Sequence, residues 1–94
     1  MYYVYVLKSQ KDKRLHIGYT NDLRRCMEAH RDGKIAATKD RMPLELVYYE
    51  AYKSVTDARK REKDLKLFGS SYSRLKRKIN NSIKDKIKTS EDTK

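Results

Sequence analysis

The sequence predicts an α+β fold: a small three-stranded antiparallel sheet flanked by helices, in the order β-β-α-β-α-α. Three features carry the prediction. Tyr2-Tyr3-Val4-Tyr5-Val6-Leu7 is an unbroken aromatic and aliphatic run, the pattern of a strand covered on both faces. Leu23, Cys26, Met27 and His30 recur at the i, i+3, i+4, i+7 spacing of one helical stripe. Between Leu44 and Tyr52, Leu44, Leu46, Tyr48 and Glu50 alternate with Glu45, Val47, Tyr49 and Ala51, the period of two expected of a strand.

The first strand occupies residues 2–9. Lys11-Asp12-Lys13 forms a polar turn, and a second strand from about Leu15 to Tyr19 closes a hairpin in which Gly18 marks a close backbone approach or a bulge. Thr20 or Asn21 caps a first helix that runs to about Asp32 and stops at Gly33. A loop of charged and small residues, Lys34 to Pro43, leads to the third strand. Ser54 or Thr56 caps the second helix, whose inner face takes Val55, Ala58, Glu62 and Leu65, and Gly69 ends it. Ser70 or Ser71 starts a third helix. Its narrow stripe of Tyr72, Leu75, Ile79, Ile83 and finally Ile87 suits a helix laid on the outside of a small sheet. Residues 1–88 therefore read as one domain and 89–94 as a loose polar tail.

Composition narrows the class. A chain of 94 residues buries only about 60 to 65% of its unfolded surface, enough for one core. Its formal net charge of +11, from 24 Lys and Arg against 13 Asp and Glu, calls for a polyanionic partner, and nucleic acid fits best. An anionic membrane surface fits less well, because Trp is absent and membrane-binding helices set bulky apolar residues opposite their basic face. The single Cys26 excludes an internal disulfide and suits a reducing compartment. The longest purely apolar stretch, Tyr2 to Leu7, is too short for a membrane span or a signal-peptide core. The expectation is a soluble, cytoplasmic protein.

Tyr3-Val4-Tyr5, then His16-Ile17-Gly18-Tyr19-Thr20, then Arg24, Arg25 and His30 on a helix form a series that resembles the GIY-YIG endonuclease family. Its first triplet stands at Tyr3-Val4-Tyr5 and its second at His16-Ile17-Gly18. The resemblance extends over about residues 2 to 68 through Thr20-Asn21-Asp22-Leu23, the Pro43 to Glu50 segment and Lys60-Arg61-Glu62-Lys63, which look like the small single-domain bacterial branch. It implies two motif tyrosines that position and deprotonate water, a helix arginine that binds the phosphate, and one glutamate that holds a divalent metal ion. Phosphodiester hydrolysis needs those functions: an activated water, a cation against the charge of the transition state, and support for the leaving oxygen.

Carried over residue by residue, Tyr5 takes the first tyrosine's place. A strand tyrosine can equally serve by packing its ring and bonding through its hydroxyl. His16 replaces the second tyrosine; an imidazole with a pKa of about 6.5, against about 10 for a phenol, accepts a proton more readily at neutral pH. An exposed histidine without a role is the competing reading. Cys26 falls where the family has its arginine, and a thiol cannot offer phosphate a cationic fork. Packed beside Leu23 and Met27 it reads as a small apolar residue. Arg25 is adjacent, but about 100° away around the helix, so Arg24 or Arg25 only partly replaces the missing cation. His30 matches a histidine one turn further on, able to contact phosphate or relay a proton, or else to rest at the helix C-terminus. Glu62 matches the metal-binding glutamate and implies Mg2+ or Mn2+, held by one carboxylate and waters. A solvated pair with Arg59 or Lys66, worth about a few tenths of a kcal/mol, is its alternative.

From Arg59 to Lys78 nine basic residues face two acidic ones. Among them Lys60, Arg61, Lys63, Lys66, Arg74, Lys76 and Arg77, with Arg24 from the first helix, are the candidate nucleic-acid contacts, positioning the backbone without reading bases. The sequence thus supports a metal-dependent nuclease acting on DNA rather than RNA, with weak sequence preference and reduced activity. Its rival is a nucleic-acid-binding module that keeps the scaffold and does not cut. A third reading gives the Tyr72 to Ile83 helix an assembly role.

Overall fold

β1 (Tyr2–Ser9) is the middle strand of a sheet ordered β2-β1-β3, with β2 spanning Leu15–Thr20 and β3 Leu44–Tyr52. Both pairings are antiparallel. The computed structural model describes residues 1–84, so Ile87 and the predicted tail at 89–94 lie outside the described residues. The predicted order β-β-α-β-α-α is the observed one, with α1 at Leu23–Arg31, α2 at Val55–Lys66 and α3 at Ser70–Lys78. A short α4, Asn80–Ile83, and a single 3-10 turn at Lys39–Arg41 complete it.

A central strand with neighbours on both edges and helices on both faces must be apolar on both faces, which is what residues 2–7 supply. Val4 and Val6 join Ile17, Ala58, Leu65, Leu75 and Ile79 in the core beneath α2 and α3. Each buried valine, leucine or isoleucine of this set contributes about 1.5–3 kcal/mol of transfer free energy. Tyr5 and Leu7 point the other way, where Tyr5 meets His30 of α1. The helices therefore serve different ends: α2 and α3 close the core, and α1 covers the face that carries the polar cluster.

Several boundaries differ from the sequence reading. Asp22, not Thr20 or Asn21, caps α1, its carboxylate accepting from the Arg25 amide at 3.0 Å, while the Thr20 hydroxyl holds the Asp22 amide at 3.1 Å. A short carboxylate is the better anion for the helix N-terminus. Ser54 caps α2, but Val55 remains 39% exposed rather than inward. The expected single third helix breaks at Ile79, which leaves the helical region at φ −108 and ψ 25. Asn80, Asn81 and Ser82 follow, residues that compete with helical hydrogen bonding. Lys8 Nζ, donating to the Ile83 carbonyl at 2.7 Å, ties the short α4 back to β1.

β3 departs most. Val6 pairs with Tyr48 but Leu7 pairs with Leu46, so Val47 is an extra residue, a β-bulge. The strict alternation expected from the sequence therefore fails at that point. Leu44 and Leu46 share the α1 side with Leu7, whereas Tyr48, Glu50 and Tyr52 fall on the core side. There the Glu50 carboxylate accepts from the hydroxyls of Tyr48, at 2.7 Å, and Tyr52. Arg61 of α2 completes the cluster with two parallel donors, Nε at 3.0 Å and Nη2 at 2.9 Å. Burial works against the Glu50 carboxylate's charge, but the hydrogen bonds from Arg61, Tyr52 and Tyr48 prevail and hold its pKa below the usual range.

Arg61 is thus occupied in joining α2 to β3. Arg61→Ala is expected to lower unfolding free energy by about 2 kcal/mol in a urea titration, because it leaves a largely covered carboxylate without its cation.

Candidate active site

The cluster is built by the crossing of β1, β2 and α1. Tyr5 pairs with Gly18 across the hairpin, and a Cβ on Gly18 would stand 2.2 Å from both Cζ and Oη of Tyr5. Only glycine leaves room for the ring to lie over β2. The close approach expected at Gly18 is therefore made by a side chain of the neighbouring strand.

So placed, the Tyr5 hydroxyl is 2.9 Å from His30 Nε2, and His30 Nδ1 is 2.7 Å from Thr38 Oγ1. Tyr5, His30 and Thr38 are all buried. Cys26 donates its thiol proton to the Tyr5 oxygen at 3.3 Å. The His16 ring stands 6.2 Å from that of Tyr5 and 5.5 Å from that of His30, centroid to centroid. A neutral imidazole donates from one nitrogen and accepts at the other, so the line from Tyr5 through His30 to Thr38 can carry its protons in either sense.

Burial sets the charge states. It lowers the pKa of His16 to about 4, helped by the charges of His30, Lys66 and Arg41 and opposed by Glu62. It also lowers that of His30. Tyr5 is raised, first by burial and further by the charge of Glu62. At neutral pH the site therefore presents a phenol and two uncharged imidazoles, each with a nitrogen able to accept a proton.

The same shifts fix a stability trend. On acidification the unfolded chain protonates His16 near pH 6.5 and the folded chain only near 4. Stability is complete above the higher value and is lost progressively as pH falls between the two. His16→Gln should lessen the loss of unfolding free energy over that window, read from urea titrations at several pH values, by about 1 kcal/mol once screening by the solvent that reaches the ring is allowed for.

Glu62 belongs to the site electrostatically, since its charge acts on both Tyr5 and His16. Its side chain is 18% exposed and pairs with Lys66 at 2.9 Å. Arg59, the other candidate partner, instead lies over the Tyr19 ring, 5.0 Å from its centroid. A carboxylate with waters and a substrate phosphate is how proteins commonly hold Mg2+, so the oxygen donors of Glu62 fit such an ion, in exchange for Lys66. Among the described residues no three His, Cys, Asp or Glu side chains converge as a metal cluster.

The remaining sequence candidates disperse. Arg25 is exposed and pairs with Asp22 at 3.9 Å. Arg24 lines a cavity of about 480 Å³ with Leu7, His30 and Leu46. Lys60, Lys63, Arg74, Lys76 and Arg77 are exposed. Two contributors escaped the sequence reading, Thr38 behind His30 and Arg41 near His16. Both sit in the loop before β3, where no periodicity signals an inward side chain. Arg41 is drawn there by Asp12, 2.9 Å away, whose own pKa the hydrogen bond to Arg41 lowers to about 2.

Residues 1–76 match the GIY-YIG catalytic domain, a family of nuclease type, and the chain belongs to that family. Within it, the chain is 41% identical over 68 residues to a UPF0213 protein of Staphylococcus haemolyticus, covering 71% of this chain and 82% of that one. It is 43% identical over 63 residues to a UPF0213 protein of Clostridium perfringens, covering 66% and 67%. No solved structure matches significantly. Among the described residues no helix is long and apolar enough to cross a membrane.

Proposed function

We propose that the protein is a metal-dependent nuclease that hydrolyses phosphodiester bonds in DNA with weak sequence preference, at a rate reduced by His16 and Cys26. One observation carries the reading: a tyrosine hydroxyl backed by a neutral histidine, 2.9 Å away, that is itself oriented by a buried threonine. Such a line satisfies buried polar groups and is also suited to proton transfer. Tyr5 orients the attacking water and passes its own proton to His30 Nε2 as it takes one from the water, so that no free phenolate forms. Thr38 holds the imidazole in orientation and, by accepting from Nδ1, supports the tautomer in which Nε2 is free to take the proton. His16, neutral at the working pH, is a second acceptor on the adjacent strand.

Glu62 holds Mg2+ or Mn2+, which when bound supplies Lewis-acid charge to the phosphate. Lys66 and Arg41, whose charges reach His16, supply part of the cationic field that Cys26 cannot. Exposed Lys60, Lys63, Arg74 and Arg77 hold the DNA backbone and account for weak sequence preference. The free thiol and the charge accord with a cytoplasmic DNA-binding protein.

The test is strand scission of supercoiled and branched DNA in Mg2+ or Mn2+ by the parent and by Glu62→Ala. Cleavage by the parent and a loss of at least about 100-fold in the variant are expected, the usual effect of removing a group that stabilises transition-state charge. A second reading, a binding module that does not cut, is favoured by Cys26 alone. It predicts salt-sensitive DNA binding by both proteins and scission by neither.

A further inference from the structure

Phe68 is unexplained by the core and by the cleavage chemistry. It is 60% exposed yet holds φ at 55, in the left-handed region. That conformation, just past the end of α2, is one that glycine normally fills. Gly69 follows immediately and has φ −96 instead. The expectation that Gly69 ends the helix is thus displaced by one residue, and a bulky ring occupies the strained position while projecting to solvent. Strain of this kind persists where the surrounding structure over-determines it, and it clusters at functional and ligand-binding sites.

The surroundings indicate what it meets. Phe68 packs T-shaped against Tyr72 with centroids 4.8 Å apart and planes at 87°, and 60% of it stays exposed beside that contact. Lys76 Nζ stands 5.5 Å from the Tyr72 centroid. Arg14, Leu15, Arg41, Phe68, Tyr72 and Lys76 line a groove of about 560 Å³, and the one carboxylate in its wall, Asp12, is matched by Arg41. The groove reaches the candidate active site around the β2 edge through Arg41, which lines it and whose charge acts on His16, while Leu15 lies on the opposite face of the sheet from its neighbour His16. An aromatic face in a cationic groove is the arrangement that binds single-stranded nucleic acid, rings stacking on bases and cations holding phosphates. An apolar protein surface would leave those cations without counter-charge.

We infer that this groove binds an unpaired stretch of DNA running on from the scissile phosphate, with a base stacked on Phe68 and the backbone held by Arg14 and Lys76. The inference rests on the nucleic-acid reading above and deepens it: the preferred substrate contains a single-stranded segment next to the cut.

The test uses the full chain and short labelled oligonucleotides, single-stranded and blunt duplex, titrated by fluorescence anisotropy. Phe68→Ala is expected to weaken single-strand binding about 10-fold, one lost stacking contact, and to leave duplex binding, duplex cleavage and the melting temperature no lower than in the parent. Phe68→Trp should keep single-strand affinity. As the chain has no other tryptophan, quenching of its emission by single strands but not by duplex reports the stacking directly. If the parent binds and cuts DNA while Phe68→Ala changes neither affinity, the groove assignment fails and the nuclease reading stands. Equal losses on both DNA forms also overturn it. If the parent binds neither form, both readings fail together, and self-association abolished by Phe68→Ala would reassign the patch to a protein contact.

Discussion

Strand scission is expected to fall by about 10²- to 10⁴-fold when Tyr5 is replaced by Phe, the range covered by loss of a positioned proton-transfer group. The substitution is narrow. It keeps the ring that lies over Gly18 and removes only the oxygen that meets His30 at 2.9 Å and Cys26 at 3.3 Å. A buried imidazole nitrogen then loses its partner, at a cost of about 1–3 kcal/mol in stability. A thermal melt must therefore accompany the assay, which is run under single-turnover conditions below the melting range. DNA affinity should stay at the parent's value, because a neutral hydroxyl contributes little to a phosphate-dominated interface. Undiminished cleavage by a folded Tyr5→Phe protein would mean that the histidines act on water directly, and would move the acid–base role to His16. The depressed pKa of His16, about 4, would then appear as the acid limb of the rate profile, well below the ordinary histidine value of about 6.5.

How much of this was legible in the sequence depends on whether each feature is periodic. The β1–β2 hairpin and the inward stripe of α1 are written in patterns of two and of 3.6, and β1 is the central strand its apolar composition requires. The motif spacing likewise singled out Tyr5, His16, Cys26, His30 and Glu62; in the fold His30 and Cys26 meet the Tyr5 hydroxyl, and the His16 ring lies 6.2 Å from the Tyr5 ring. Features that arise from a break in a pattern were not legible. Val47 looks like any alternating residue, yet as a bulge it turns Glu50 toward Arg61. Arg61 is indistinguishable in sequence from its solvated neighbours Lys60 and Lys63, because its partner lies eleven residues away across a strand-to-helix turn. Thr38 is placed by loop geometry, and Arg41 by a pair with Asp12 from a distant turn, neither of which leaves a periodic signal. Phe68 inverts a reliable rule, since Gly69 beside it is the residue expected to take the left-handed turn.

Cys26→Arg is expected to raise single-turnover cleavage by about 100- to 1000-fold, the amount that one electrostatic group aimed at a transition state commonly supplies. Position 26 can hold the longer side chain, because Cys26 opens on a surface depression of about 470 Å³ shared with Thr20, Asn21, Asp22, Arg25 and Ala29. The gain has two physical sources. A guanidinium offers phosphate a charged fork that a thiol cannot. It also acts on Tyr5, whose pKa burial raises, because a cation beside the hydroxyl favours the phenolate. Phenolate absorbance followed during an alkaline titration should accordingly show Tyr5 ionising at lower pH in the variant. Cys26→Ser separates the sources: it keeps a hydroxyl donor to Tyr5, adds no charge and should cut no faster than the parent. Asp22, which already pairs with Arg25 at 3.9 Å, is the competing partner for the new side chain. If Cys26→Arg binds DNA more tightly, with a salt dependence steeper by about one phosphate contact, but cuts no faster, the cation has gone to the backbone rather than to the reacting phosphate. The absence of arginine at this position would then not be what limits the rate, and the binding-module reading would gain the ground that the nuclease reading lost.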